Sequence, residues 1–211
     1  MDTLGQAAGP GSQIGHTTWV IDPVQSLVGF AVRHLMVSTF KGYFTSFDGV
    51  VTLDEADPSR SRVEVSIDAA SVDTHNAERD THLRSVDFLD VALHPKIVFE
   101  SWGVELKENG RATVSGDLTI RGVTRLVVLD VELNGRVVAP NGDEVIGFSA
   151  TTTISRKDYG LTWNVALDAG GVLVADEVVV QLEIEAINQV QPRTAEYDPA
   201  LGINKNVIRT W

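Results

Sequence analysis

Apolar and polar positions alternate with a period of two along most of the chain between residues 18 and 189. The clearest case is VEVSID, residues 63–68, where three branched apolar side chains alternate with Glu, Ser and Asp. Similar alternation recurs in residues 28–34, 112–120, 146–154 and 176–187. This pattern is typical of β-strands that turn one face to a core and the other to water.

Short turns join these segments. Asn109-Gly110 and Asn141-Gly142 are typical of tight hairpins, because both residue types tolerate positive φ. In the segment KGYFTSFDGVVTL, Phe44 and Phe47 fall out of phase, which predicts a bulge in one long strand. About eight hairpin-linked strands predict an all-β fold, an antiparallel up-and-down barrel closed so that no edge is exposed. A two-sheet sandwich is the alternative.

One segment breaks the alternation. DTHNAERDTHLRSVDFLDVALHP, residues 73–95, is charged and predicts a short helix between the third and fourth strands, with Asp73 or Thr74 as the N-cap and Pro95 as its limit. His75, Glu78 and His82 would share one helix face, so a metal site is conceivable, but HExxH is absent. A salt-bridged cap over one barrel opening is the favoured interpretation.

The pattern divides the chain into three parts: a Gly-rich, flexible N-terminal arm over residues 1–17, a barrel domain over residues 18–189, and a C-terminal extension over residues 190–211. The extension is interrupted by Pro192 and Pro199, yet it is unusually apolar. It is either partly disordered or an arm that packs on the barrel or on a partner chain.

Composition removes several functions. A net charge of −12 argues against nucleic-acid binding. The absence of cysteine excludes disulfides, thiolate catalysis and cysteine-bound zinc. No apolar run reaches the ~18 residues needed to cross a bilayer, and no secretory signal precedes the first strand, so a cytoplasmic location is expected. No cofactor or metal is predicted.

Catalytic motifs are also missing, since the chain has no GxSxG elbow, P-loop or GxGxxG. His34 shares a strand face with Phe30 and Val32, which is more typical of a hydrogen-bonded core histidine than of a catalyst. An eight-stranded barrel can be filled by its own side chains or can hold one small ligand. Small inward residues (Gly116, Ala150 and Ala186) favour a cavity.

The chain resembles the YceI-like family of bacterial polyisoprenoid-binding, lipocalin-like proteins. The resemblance extends from about Trp19 to about Asn188 and is carried by IDPVQSLVGFAVRH, FKGYFTSFDGVVTLD, VDTHNAERDTHLRSVDFLD, HPKIVFES, GDLTIRGVTR and ISRKDYGL. It implies a barrel extended along its axis, a long amphiphile threaded through it, and a homodimer. No catalytic activity is established for the family as a whole, and many relatives are exported.

Two positions depart from the family pattern. Gln25-Ser26 stands where the family usually has His-Ser, and Val174-Ala175-Asp176 stands where VGD is common. Neither change removes an apolar lining residue, but both could alter hydrogen bonding at an end of the barrel.

The sequence therefore predicts a carrier or store for a polyisoprenoid, an isoprenoid quinone or a fatty-acid derivative, without enzymatic activity. The candidate channel lining is Phe30, Val32, Phe44, Val65, Ile67, Phe99, Val114, Leu118, Leu129, Phe148, Ile154, Leu182 and Ile184, with His34 as a further ligand-binding candidate. The candidate head-group contacts are Arg79, His82 and Arg84. Two alternatives stay open: an enzyme using the cavity with His34 or the His75/His82 pair, and a packed barrel acting as a protein-interaction scaffold.

Overall fold

A computed structural model describes residues 15–35, 37–166 and 172–189, together with the backbone of residues 197–198 and 203–204. The strands of the main sheet are β1 His16–Ile21, β2 Leu27–His34, β3 Ser38–Phe44, β4 Phe47–Asp54, β5 Arg62–Asp68, β6 Val72–Asp73, β7 Lys96–Leu106, β8 Arg111–Ile120, β9 Val123–Val138, β10 Glu144–Ser155 and β11 Val174–Asn188. The helix α1 covers Ala77–Arg84, and short 3₁₀ turns cover Pro58–Arg60, Ala69–Ser71 and Arg156–Tyr159.

These strands form one closed antiparallel barrel. Both β1 and β2 pair with β11, with Trp19 opposite Asn188 and Val28 opposite Leu182, so they lie end to end as one interrupted barrel strand. β3 with β4, and β5 with β6, are related in the same way. When each of these three pairs is counted as one, the eleven strands make eight barrel strands that follow one another in chain order. The last of the eight pairs with the first. The predicted eight-stranded up-and-down barrel is confirmed.

Side-chain hydroxyls bridge two of the interruptions. Between β1 and β2, Ser26 Oγ donates to the Glu185 carbonyl at 3.1 Å and accepts from the Glu185 N–H at 2.9 Å. Ser26 thus replaces the ladder bonds that β11 would otherwise lack. Between β3 and β4 the predicted bulge is a complete break, in which the Ser46 N–H donates to Ser71 Oγ at 3.1 Å. The change of phase between Phe44 and Phe47 marks this break.

The hairpin joining β7 to β8 turns as the sequence predicts, with φ of 59° at Asn109 and 74° at Gly110. The predicted insert is also in place, since α1 lies between β6 and β7, which belong to the third and fourth barrel strands.

The start of the helix differs from the prediction. Asn76 is the N-cap, and its side chain accepts from the Arg79 N–H at 2.9 Å. Asp73 instead holds the preceding turn by accepting from the His75 N–H at 2.7 Å, where His75 has a φ of 58°. The left-handed residue delays the helix, so neither Asp73 nor Thr74 can cap it.

Most of the two predicted end segments lies outside the described residues. Residues 1–14 of the predicted flexible arm lie outside the described residues, and β1 already begins at His16. Of the extension 190–211, the structure describes only the backbone of β12 Tyr197–Asp198 and β13 Ile203–Asn204, which pair antiparallel. Among the described residues, none of the helices has the length and apolar character needed to span a bilayer.

Candidate functional site

The barrel is hollow. A cavity of about 680 Å³ runs inside it and is lined almost entirely by apolar side chains from all eight barrel strands. This volume lies within the ~300–1,000 Å³ typical of small-molecule sites. All thirteen predicted lining residues face it: Phe30, Val32, Phe44, Val65, Ile67, Phe99, Val114, Leu118, Leu129, Phe148, Ile154, Leu182 and Ile184. Contact between these residues and a ligand stays a prediction.

The small residues do not contribute to the cavity as expected. A Cβ at Gly116 would lie 2.6 Å from Cζ of Phe99, so the Phe99 ring already covers this glycine. Ala186 is fully buried in the core beside Trp19, whereas Ala150 does line the cavity. Of these three small residues, only Ala150 therefore lines the cavity.

The insert closes one end of the cavity. Leu83, Phe88 and Leu89 line it from the segment that contains and follows α1, and Phe88 and Leu89 are buried. His82 packs edge-on against Phe88 and Trp163, and its Nε2 lies 2.9 Å from Asp87.

Buried and charge-assisted hydrogen bonds hold the insert in place. The buried Asp80 carboxylate accepts from the Thr74 N–H at 3.0 Å and from Thr74 Oγ1 at 2.5 Å. Arg79 donates to Thr74 Oγ1 at 2.7 Å and lies over the Phe40 ring. Arg84 donates to the carbonyl oxygens of Ala70 and Val72 at 2.7 and 2.6 Å.

These contacts do not support the predicted head-group role of Arg79, His82 and Arg84. None of the three lines the cavity, and the donors that would meet a ligand are bonded within the protein. His34 is also outside the cavity lining, where its ring stacks on Phe40 at 4.3 Å between centroids. The charges of the insert fix the closed end rather than facing the cavity.

Two residues that the sequence analysis did not single out complete this end. Arg156 is buried and donates to the carbonyls of Leu161, Trp163, Val174 and Ala175, while Asp176 lies 3.4 Å from its guanidinium. Burial lowers the pKa of Arg156. The stretch ISRKDYGL, which carries part of the family resemblance, was the only sequence signal for this cluster.

Tyr159, from the same stretch, is also buried against the cavity. Its hydroxyl has no hydrogen-bond partner among the described residues. Burial raises the pKa of Tyr159 to about 12, so the phenol stays protonated at neutral pH.

The opposite end of the cavity is an open mouth. It is bounded by the short connections that follow β4, β7 and β9, and Leu106 and Leu133 line it while 58% and 45% exposed. Arg136 crosses its rim, donating to Glu55 at 3.0 Å and to Glu144 at 3.3 Å, with its guanidinium 4.7 Å from the Trp19 ring centroid. Hydrogen bonds from Asn188 and Arg136 lower the pKa of Glu144.

The histidines do not assemble a metal site. His75 Nδ1 lies 3.3 Å from Asp73, and His82 pairs with Asp87. Across residues 15–35, 37–166 and 172–189, no three His, Cys, Asp or Glu side chains are grouped so as to hold a metal ion.

Comparison with known proteins identifies the barrel. Residues 19–186 match the model of the YceI-like domain. The chain belongs to the YceI-like family. It is 41% identical over 164 residues to a UPF0312 protein of Ectopseudomonas mendocina, covering 78% of this chain and 83% of the relative. It is 40% identical to the Protein YceI of Salmonella newport, with 78% and 82% covered.

Solved structures share the fold of this YceI-like chain. The Campylobacter jejuni YCEI protein is 33% identical with a TM-score of 0.64, covering 74% of this chain and 88% of the other. BcnA of Burkholderia cenocepacia has a TM-score of 0.67 at 22% identity, with 78% and 98% covered. A polyisoprenoid binding domain from Saccharophagus degradans has a TM-score of 0.59 at 16% identity, with 83% and 99% covered.

Proposed function

We propose that this protein binds a long-chain amphiphile, namely a polyisoprenoid, an isoprenoid quinone or a fatty-acid derivative, and carries or stores it. The observation that carries this proposal is the apolar cavity of about 680 Å³, closed by the insert at one end and open at the other. The match to the YceI-like family and the fold shared with a polyisoprenoid binding domain support the same class of ligand.

Burial of hydrocarbon supplies the affinity. Each methylene group moved from water into the channel contributes about 0.8 kcal/mol, so a long chain binds well with few polar contacts. Strands of ten to sixteen residues, such as β8 and β9, form a deep channel, which suits an extended chain better than a compact ligand. Selectivity among lipids of similar length is expected to be loose.

The ligand's polar head would lie at the mouth. At the closed end the lining is Leu83, Phe88 and Leu89, together with two buried polar side chains. These are Arg156, whose donors are bonded to backbone carbonyls, and Tyr159. At the mouth, Arg136 and Glu55 reach the cavity edge beside solvent. A chain inserted tail first therefore avoids burying its head in hydrocarbon surroundings, which would cost several kcal/mol.

We infer a binding protein rather than an enzyme. His34 stacks on Phe40, His75 lies beside Asp73, and His82 pairs with Asp87. No pair of them faces the cavity, so the described histidines offer no acid–base arrangement to a bound lipid. The homodimer and the cytoplasmic location expected from the sequence stay predictions, and light scattering of the purified protein measures the former.

Native mass spectrometry of gently purified protein tests the proposal. We expect a lipid near one per chain, which extraction and tandem mass spectrometry identify. If purified protein carries no lipid, and added polyprenols, quinones and long-chain fatty acids all fail to bind, the carrier function is ruled out.

A charged substitution in the lining gives the mutational test. Phe148→Asp places a carboxylate in the apolar channel, so lipid occupancy should fall at least about tenfold. Thr153→Asp on the exposed face of the same strand is the matched control and should keep its lipid. Equal occupancy in both folded variants would locate the ligand outside this channel.

A further inference from the structure

One part of the barrel wall lacks backbone hydrogen bonds. β9 and β10 pair from Val138 opposite Glu144 as far as Asp130 opposite Thr151, and the pairing stops there. Beyond that point, residues 123–129 pair with β8 alone and residues 152–155 pair with β11 alone. Among the described residues, no hydrogen bond joins these two stretches. We call the space between residues 123–129 and 152–155 the seam.

The seam is bounded at both of its ends. On the side towards the mouth, its limit is the pair formed by Asp130 and Thr151. On the side towards the insert, Arg121 donates to the Gly160 carbonyl at 3.0 Å and to the Val86 carbonyl at 2.8 Å. Arg121 thus ties the hairpin between β8 and β9 to the turn after β10 and to the insert. The seam is therefore a window in the wall beside the closed end.

At the seam, side chains alone separate the cavity from the outside. A groove of about 330 Å³ lies along the outer side of the seam. Four residues line both the cavity and this groove: Val127, Thr152, Ile154 and Tyr159. The wall is therefore one side chain thick here, and the two strands can move apart without breaking a ladder hydrogen bond.

Tyr159 is the largest of these four residues and is 2% exposed. The turn Arg156–Tyr159 packs on β9 where the pairing with β10 has stopped. The Tyr159 hydroxyl has no hydrogen-bond partner among the described residues. A buried hydroxyl without a partner is destabilising, and it gains water as a partner when the ring turns into the groove. The closed position of Tyr159 is therefore easier to leave than that of the fully bonded Arg156.

The groove offers apolar contact to a chain that leaves the cavity. Leu126 and Val128 line the groove, and they are 61% and 46% exposed. They are two positions apart on β9, so both side chains lie on the same face of the strand. Neither belongs to the buried core of the barrel. A hydrocarbon chain that lies along them reduces the apolar surface exposed to water.

We propose that the seam is a side portal through which the tail of a chain longer than the cavity leaves the barrel, and that Tyr159 closes the seam when the ligand is shorter. This inference rests on the function proposed above, in which the head lies at the mouth. A tail that reaches Phe88 and Leu89 meets the closed end, and the seam beside it gives the remaining carbons a way out. The portal thus lets a cavity of fixed length accept chains of different lengths.

A staple across the seam tests the portal. The chain has no cysteine, so introduced thiols react alone. Leu126→Cys with Ser155→Cys places one thiol on each side of the groove, and a short bis-maleimide linker joins them, as checked by intact mass. We expect the stapled protein to bind undecaprenol about tenfold more weakly than the unlinked protein, because keeping only two methylene groups from apolar contact costs about that factor. Native mass spectrometry should show unchanged binding of the shorter geranylgeraniol.

The matched control staples two strands that are already paired. Asp130→Cys with Thr151→Cys joins opposite, exposed positions of β9 and β10 at the limit of the seam, and both alcohols should bind as before. Equal effects of the seam staple on the two alcohols, whether no change or the same loss, overturn the portal and leave the carrier function standing. If neither alcohol binds even to the unsubstituted protein, the carrier function is lost and the portal with it.

Two substitutions of Tyr159 test the seam without a linker. Tyr159→Leu shortens the closing side chain and should raise the preference for undecaprenol over geranylgeraniol about fourfold, the value of one further methylene group in apolar contact. Tyr159→Phe keeps the ring and removes only the unpaired hydroxyl, so it should keep the preference and should not lower Tm. An unchanged preference in Tyr159→Leu, or a lower Tm in Tyr159→Phe, contradicts the role given to Tyr159.

Discussion

The two ends of one barrel differ because of the lengths of their connections. At the insert end, residues 74–95 and 156–173 join consecutive barrel strands, and they bring in Leu83, Phe88, Leu89 and Arg156 to close the cavity. At the mouth, residues 107–110 and 139–143 are short hairpins, and the connection 55–61 adds Glu55, Pro58 and Ser61 to the edge of the cavity. The two long connections therefore close the insert end, and the shorter connections leave the mouth open.

The two ends also differ in how polar groups are used. At the closed end, buried Asp80 and Arg156 bond to backbone groups and hold the loops in place. At the mouth, Arg136 pairs with two partly exposed carboxylates, Glu55 in the connection that follows β4 and Glu144 at the start of β10. Exposed pairs of this kind add little stability, so the mouth is expected to be the more easily opened end.

Matched leucine truncations give the largest contrast between the ends. Leu89→Ala removes a buried side chain at the closed end and should lower the free energy of unfolding by about 2–4 kcal/mol. Leu106→Ala removes an exposed side chain at the mouth and should cost less than about 1 kcal/mol. Denaturant unfolding of both variants measures the difference, and equal losses would mean that the two ends are buried to the same degree.

The buried carboxylate of the insert should give the next largest effect. Asp80→Ala leaves the Thr74 N–H and hydroxyl without their acceptor, which should cost about 2–3 kcal/mol of unfolding free energy. Glu78→Gln, on the exposed side of α1, is the control and should stay within about 0.5 kcal/mol. Similar losses in both would show that the insert is held by its helix rather than by Asp80.

A pH-dependent effect should be confined to the mouth end. Hydrogen bonds from the backbone of Asp57 and Ala56, together with Arg60, hold the pKa of Asp54 below its usual value, although burial opposes them. Because the folded-state pKa is lowered, this stabilisation is present at neutral pH and is lost as the pH falls through the folded-state pKa.

Asp54→Asn should therefore lower Tm at pH 7, and its deficit relative to the unsubstituted protein should shrink as the pH falls from about 5 to about 3. Thermal unfolding across this range measures the change. Asp57→Asn, whose carboxylate is half exposed beside the same turn, is the control and should show a smaller dependence. A difference in Tm that stays constant with pH would mean that Asp54 stabilises the fold through its packing rather than through its charge.

Alternation along the chain predicted the strands and the inward face of each, because a period of two leaves only two faces and the apolar one must be buried. It favoured a barrel but left a two-sheet sandwich as the alternative. The thirteen predicted lining residues face the cavity for this reason. The same logic could not place Arg79, His82 and Arg84, because a charged helix gives no sign of which backbone carbonyls its side chains will reach. The change of phase between Phe44 and Phe47 predicted a bulge in one strand, whereas the structure has a break between β3 and β4 there.

The sequence by itself determined the strand order, the hairpin turn at Asn109-Gly110 and the position of the insert, since these depend on local periodicity and local backbone preference. Tertiary structure alone decided that the barrel is hollow, that Arg156 and Tyr159 are buried at its closed end, and that Leu106 and Leu133 remain exposed at its mouth. The physical reason is that a cavity and its ends depend on how strands from the whole chain curve round one axis, a property that no single segment carries.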